Sequence, residues 1–314
     1  MRSPKTKSEL NSALNPAFIL EPSRLGDALG KPVLVATESF QKTGSFKFRA
    51  ALNVVLNSDS LHFAATSSGN FGQALAHACG LEKRKCTLVM PDNSAKVKID
   101  AARALGADVR LVDLSKRSRS EWLDLVVSEL EAAGEAVEVV SPYDDPRVIE
   151  GNSSLVEDLL PYKERFDTVI APVGGGGLSA GIARGKERHN LDFALWGAEP
   201  REGNDASRSL AEGRLIANQK EPATLADGAR TLSLGKLNFE ILKDSLAGIV
   251  EVEDETLAKA VKMYFELANL KVEPTGALSL AALMERPELF TESRPLLIVS
   301  GGNVDAELYA GLIT

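Results

Sequence analysis

The chain has 314 residues, of which 44% are hydrophobic and 25% charged, as expected of a soluble globular protein of about two domains whose core needs no metal or disulfide staple. Its 44 acidic and 36 basic side chains give a net charge of −8, and aromatics make up only 5%, so a nucleic-acid-binding surface with stacking platforms is excluded. Cys79 and Cys86 make neither a disulfide framework nor a zinc motif, and three histidines cannot build a multi-histidine metal centre, so a reduced, cytoplasmic protein is expected. No stretch approaches the roughly 18 apolar residues of a membrane span, and the opening residues carry basic side chains without the apolar run of a secretory signal.

In chain order, short β-branched runs at 32–37, 61–66, 86–90, 109–112, 137–140, 168–173, 193–197, 249–252 and 296–300 predict strands. Several are continuously apolar, as strands buried on both faces are. Between them, 69–79, 94–105, 121–133 and 254–267 predict helices, the second and third ending at Gly106 and Gly134. This alternation predicts βαβ units and mainly parallel sheets in two α/β lobes. The polar stretch 201–230 predicts a cover over an active-site face.

In open parallel sheets ligands bind beyond the carboxyl ends of the strands. Four such loops are unusual. Gly174, Gly175, Gly176 and Gly177, followed by Leu178, lie between a strand and a helix, where backbone N–H groups and a helix N-terminus cradle an anion such as phosphate. Two other motifs overlap there. Gly175-x-Gly177-x-x-Ala180 fits a dinucleotide fingerprint. The Gly177–Gly181 pentapeptide fits a serine-hydrolase elbow at Ser179, although His189 follows too closely for that fold. Ser67, Ser68, Gly69 and Asn70 open a helix with more donors than a cap needs, suiting a small carboxylate. Ser300 precedes Gly301, Gly302 and Asn303 and could face a bound ring. Lys47, flanked by Phe46 and Phe48 with Arg49 nearby, could be an activated amine, although an exposed helix lysine is the ordinary alternative.

A phosphate cradle, a carboxylate loop, a ring-facing hydroxyl and a candidate amine describe a pyridoxal phosphate site. With TGSFKFRAA, SSGNFGQALA, GNSS, VGGGGLSAG, EPREGNDAS, ADGAR, VEPTGA and SGGN in order over residues 39–303, the chain resembles the fold-type II pyridoxal-phosphate enzymes of the threonine/serine dehydratase and serine racemase branch. The resemblance implies a tryptophan synthase β-like fold. Residues 1–52 and 147–314 would form a large cofactor-binding domain, and residues 53–146 a small mobile domain that closes over substrate. It implies Lys47 as the Schiff-base lysine, Phe46 against the ring, Asn70 on the 3′ oxygen, Gly174 to Leu178 on the phosphate and Ser300 on the ring nitrogen. Ser67, Ser68, Gly69 and Asn70 would hold the substrate carboxylate, with Ser68 also a catalytic residue on the opposite face. Glu199, Gly203 and Asp205 would bind a divalent cation (Mg²⁺, Ca²⁺ or Mn²⁺), a solvated acidic loop being the plain alternative. The implied activity is an ammonia-lyase converting threonine, serine or 3-hydroxyaspartate to a 2-keto acid and ammonia. An amino-acid racemase is the alternative, a homodimer the implied assembly, and a nicotinamide oxidoreductase a distant reading. Phe71 stands where the family commonly has histidine, which puts the substrate end in question.

Overall fold

The computed structural model describes residues 13–67, 69–94 and 96–314. Two open sheets organise it. The larger runs in the order β1 (Phe18–Leu20), β2 (Leu34–Thr37), β10 (Pro295–Val299), β7 (Thr168–Pro172), β8 (Ala194–Pro200) and β9 (Leu246–Val252). All its pairings are parallel except β1 against β2. The smaller is wholly parallel, in the order β5 (Asp108–Val112), β4 (Lys85–Pro91), β3 (His62–Thr66) and β6 (Glu138–Val139).

The residue pattern explains the layering. Along β10, Leu296 and Ile298 enter one apolar cluster with Val169 and Ile182, while Leu297 and Val299 enter another with Ile170, Tyr264 and Leu278. Period-two alternation thus feeds two cores, and every residue of β10 is buried. In the smaller sheet, Phe63, Leu88 and Met90 pack on the helices Lys47–Leu56 and Asn70–Leu81, while Ala64 and Val89 pack on the helix Arg119–Ala132. Ser118 and Glu121 cap the start of that last helix with a reciprocal capping box.

Sequence and structure differ at β1, which no apolar alternation announces. It is three residues long at a sheet edge, with Phe18 exposed. The remaining strands lie within a few residues of their predicted positions. The consequence for function is topological: the carboxyl ends of β2, β3, β7 and β10 carry the four unusual loops, and that of β8 carries the acidic turn.

Candidate active site

Lys47 opens the helix Lys47–Leu56 just after Ser45, which bridges to Gly301 at the end of β10. Phe48, Ala51, Leu52 and Val55 are buried and anchor this helix, so its first turn is held firmly. Lys47 Nζ donates to the Pro142 carbonyl at 2.8 Å and lies 5.0 Å from the Phe46 ring centroid and 5.8 Å from that of Phe71. Burial pushes its pKa down to about 8, against the pull of the Glu273 carboxylate toward the charged form. Such an amine keeps an appreciable neutral fraction near pH 7, the form that attacks a carbonyl.

Asn70 begins the helix Asn70–Leu81. Its Nδ2 lies 2.9 and 3.1 Å from the two Glu273 oxygens, and its Oδ1 accepts from Asn303 Nδ2 at 2.9 Å. Asn303 Nδ2 also donates to the Thr43 carbonyl at 2.7 Å. Gly44 has φ +72°, and a Cβ there would stand 2.4 Å from Asn303 Oδ1, so only glycine suits this turn. Ser67 Oγ accepts from the N–H of Gly72 at 3.0 Å and of Gly69 at 3.3 Å, which leaves its own proton free to donate. Apart from its neighbours in the chain, nothing described lies within 4 Å of where a Gly69 Cβ would be, so the loop is open on that side. The expected catalytic Ser68 lies outside the described residues.

Ser300 Oγ is buried and has no hydrogen-bond partner among the described residues. Leaving such a group unpaired costs about 1–3 kcal/mol, so a bound acceptor or donor there would be stabilising. The glycine run separates β7 from the helix Gly177–Arg188. Gly175 O accepts from Asn238 Nδ2 at 2.6 Å and Gly235 N at 3.0 Å; Gly177 O accepts from Asn152 Nδ2 at 2.9 Å. Across a trans peptide the next N–H points the opposite way, so those of Gly176 and Leu178 face away from these anchors. The run is packed tightly: a Cβ on Gly174 would meet Ala229 Cα at 2.9 Å, and one on Gly175 the Tyr143 ring at 2.3 Å. Donors at an unsatisfied helix start, beside an orphaned hydroxyl and a depressed-pKa amine, fit pyridoxal phosphate in chemistry and in kind.

The elbow motif carries no nucleophile. Ser179 is fully buried and its hydroxyl is spent on the Pro172 carbonyl at 3.3 Å.

Glu199, at the end of β8, is buried and accepts from the N–H groups of Ala206 at 3.1 Å and Ser207 at 2.7 Å. Asp205 Oδ1 accepts from Asn218 Nδ2 at 2.8 Å, while its Oδ2 is buried without a partner among the described residues. Burial pushes Asp205 up to about 6; burial and the neighbouring Asp205 charge push Glu199 well above the usual carboxylate range. Gly203 lies in the turn between them. These are hard oxygen donors short of positive charge, which suits a divalent cation in kind. No group of three or more His, Cys, Asp or Glu side chains converges among the described residues.

The profile of the family described as "Pyridoxal-phosphate dependent enzyme" matches residues 11–301. The chain belongs to this family. It is 33% identical to an L-threo-3-hydroxyaspartate ammonia-lyase of Pseudomonas sp over 98% of this chain and 96% of that protein. It is also 33% identical to a serine racemase of Schizosaccharomyces pombe, over 99% and 92%. Among solved structures, the threonine deaminase of T.th. superposes with a TM-score of 0.86 at 36% identity, covering 96% of this chain and 99% of that one. The fold is therefore that of the fold-type II enzymes, and the nicotinamide reading of the glycine run is set aside.

Sequence reasoning gave no role to three residues that the fold brings to this candidate site. Glu273 and Pro142 touch Asn70 and Lys47, and Tyr143 lies against the glycine run. A carboxylate just before a proline that starts an apolar helix was a signal for Glu273; a backbone carbonyl at Pro142 leaves none. Phe71 is buried in the smaller core and places carbon beside the Lys47 amine, where histidine would offer a proton.

Proposed function

We propose that this chain is a pyridoxal-phosphate-dependent ammonia-lyase that converts a β-hydroxy amino acid to a 2-keto acid and ammonia, with 3-hydroxyaspartate, threonine and serine as the substrate class. The carrying observation is the Lys47 amine, kept partly neutral between Phe46 and Phe71 and facing the same Glu273 carboxyl that Asn70 holds. The Pseudomonas ammonia-lyase among its relatives supports 3-hydroxyaspartate as the first substrate to test.

Bound pyridoxal phosphate supplies a carbonyl for an amine and a ring that accepts electrons from Cα. Lys47 Nζ would hold it covalently, the N–H groups from Gly174 to Leu178 its phosphate, Asn70 Nδ2 its ring oxygen, Phe46 its face and Ser300 Oγ its ring nitrogen. A neutral hydroxyl at that nitrogen stabilises negative charge less than a carboxylate partner would, which favours prompt loss of the β-hydroxyl. Ser67, Ser68, Gly69 and Asn70 would orient the substrate carboxylate at the helix start, a positioning effect. Lys47 Nζ, freed when substrate binds, would remove the Cα proton as general base. The β-hydroxyl would leave as water, taking its proton through the cofactor phosphate while Lys47 keeps the one from Cα, and the released enamine would hydrolyse to keto acid and ammonia. Ser68, delivering or taking a proton on the opposite face, would give racemisation. That second reading is supported by the S. pombe relative.

The lobe of residues 53–146 would close over substrate and exclude water. Ion pairs between Lys98 and Asp227 at 3.0 Å and between Arg119 and Glu221 at 2.9 Å reach from it to the 221–230 segment. Glu199, Asp205 and the Gly203 carbonyl would hold a divalent cation (Mg²⁺, Ca²⁺ or Mn²⁺), supported by the orphaned Asp205 oxygen. A cytoplasmic homodimer completes the proposal. Two buried free thiols suit a reducing compartment, and no described helix is long and apolar enough to cross a membrane.

The test is keto-acid release from a panel of L- and D-β-hydroxy amino acids, before and after exhaustive chelation and again with Mg²⁺ restored. Turnover of one panel member, with activity lost on chelation and regained with Mg²⁺, is the expected result. No keto acid from any member would reject the lyase, and activity indifferent to chelation would reject the cation.

A further inference from the structure

Glu273 is only 4% exposed and makes no ion pair with lysine or arginine among the described residues. A carboxyl buried in this way is costly unless its oxygens are bonded. It stands at the start of the helix Pro274–Glu285, yet its side chain makes no capping bond to that helix. Helix stability therefore does not account for it. Both oxygens are instead within 3.1 Å of Asn70 Nδ2. The backbone is shaped to admit them: a Cβ on Gly301 would stand 2.6 Å from Glu273 Oε1.

The other end of the Asn70 amide is fixed as well. Its Oδ1 accepts from Asn303 Nδ2, itself tied to the Thr43 carbonyl. Turning the amide over would set oxygen against the Glu273 oxygens and nitrogen against the Asn303 nitrogen, so one orientation is strongly favoured. An amide nitrogen carries two protons. The carboxyl grips one side of it, and a proton remains for another acceptor.

We propose that Glu273 is a positioning residue that acts through Asn70, fixing its amide so that one N–H remains for the ring oxygen of the cofactor. This rests on the pyridoxal phosphate reading above. The charged groups that face Glu273 are Lys47, Asp227 and Lys98. Asp227 and burial oppose its ionisation. Even a protonated carboxyl keeps an acceptor oxygen for Asn70, so the grip survives either state.

The experiment compares cofactor affinity and the position of the near-visible absorption band, close to ~410 nm for a lysine-bound pyridoxal phosphate. Proteins are the parent, Glu273→Leu, Glu273→Gln, Asn70→Ala and the Glu273→Leu/Asn70→Ala double variant. Loss of one hydrogen bond predicts roughly tenfold weaker binding and a displaced band in Glu273→Leu. Glu273→Gln, which keeps an acceptor, should recover most of both. The double variant should match Asn70→Ala alone, since the first residue works through the second. Additive losses, or an undisplaced band in Glu273→Leu, would overturn the proposal. If Glu273→Leu does not fold, Asn303→Ala frees the amide from its other end and must displace the band likewise; an unchanged band there overturns it too. A parent protein that forms no such band rejects the cofactor reading instead, so the two failures are distinct.

Discussion

Lys47→Ala will reduce keto-acid release by at least about 10³-fold and abolish the near-visible band, while the protein stays folded. General-base catalysis alone is worth about 10²–10⁴-fold, and the proposed covalent anchor would be lost with it. The fold should tolerate the change. The side chain gives up one hydrogen bond to Pro142 O, and the burial that lowers its pKa is relieved. The pH dependence follows from the same burial. Only the neutral amine reacts with an aldehyde, so the rate of cofactor attachment to the parent protein should rise through about pH 8 and level off above it. An unburied lysine would put that rise above pH 10. Stopped-flow absorbance against pH measures this directly; wild-type rates in Lys47→Ala would remove the residue from the mechanism.

Arg49→Met will destabilise the protein by about 3–5 kcal/mol, the cost typical of stranding a buried charge. Arg49 is 2% exposed, two residues beyond the candidate catalytic amine, on the same helix. It donates Nε and Nη2 to the two Glu38 oxygens at 2.8 Å each, Nη2 to Asp158 Oδ2 at 2.5 Å and Nη1 to Ser154 Oγ at 3.2 Å. Methionine fills much of the volume and makes none of these bonds. Among the described residues, Glu38, equally buried, would keep for its carboxylate only a 3.5 Å contact from Gln41 Nε2. The melting temperature should fall by on the order of 10 °C. Because this cluster ties the helix start to the segments after β2 and before the glycine run, cofactor affinity should weaken as well. A melting temperature within about 2 °C of the parent would show that the cluster contributes no net stability. Arg49→Lys restores charge without the paired geometry and should recover only part of the loss.

Much of the fold was legible because buried parallel strands write themselves as β-branched runs. The 168–173 and 296–300 runs became β7 and β10, whose alternate residues feed opposite cores. β1 was not legible: three edge residues carry too little pattern to stand out. The glycine run and the Ser67–Asn70 loop were legible because close backbone approach and multiple donors demand particular residue types. Lys47 was recognisable only in company, since a lone lysine at a helix start is usually solvated. Pro142 was beyond reach, because any residue supplies a carbonyl. Glu273 was hidden for another reason: its partner Asn70 is 203 positions away, and only the fold brings them together.

Borohydride reduction of the cofactor-loaded protein, followed by peptide mapping, tests the covalent role of Lys47 most directly. A single reduced pyridoxyl adduct on the peptide containing residue 47, with the yellow colour discharged, is the predicted result. An unmodified residue 47, or label scattered over the surface lysines, would contradict it.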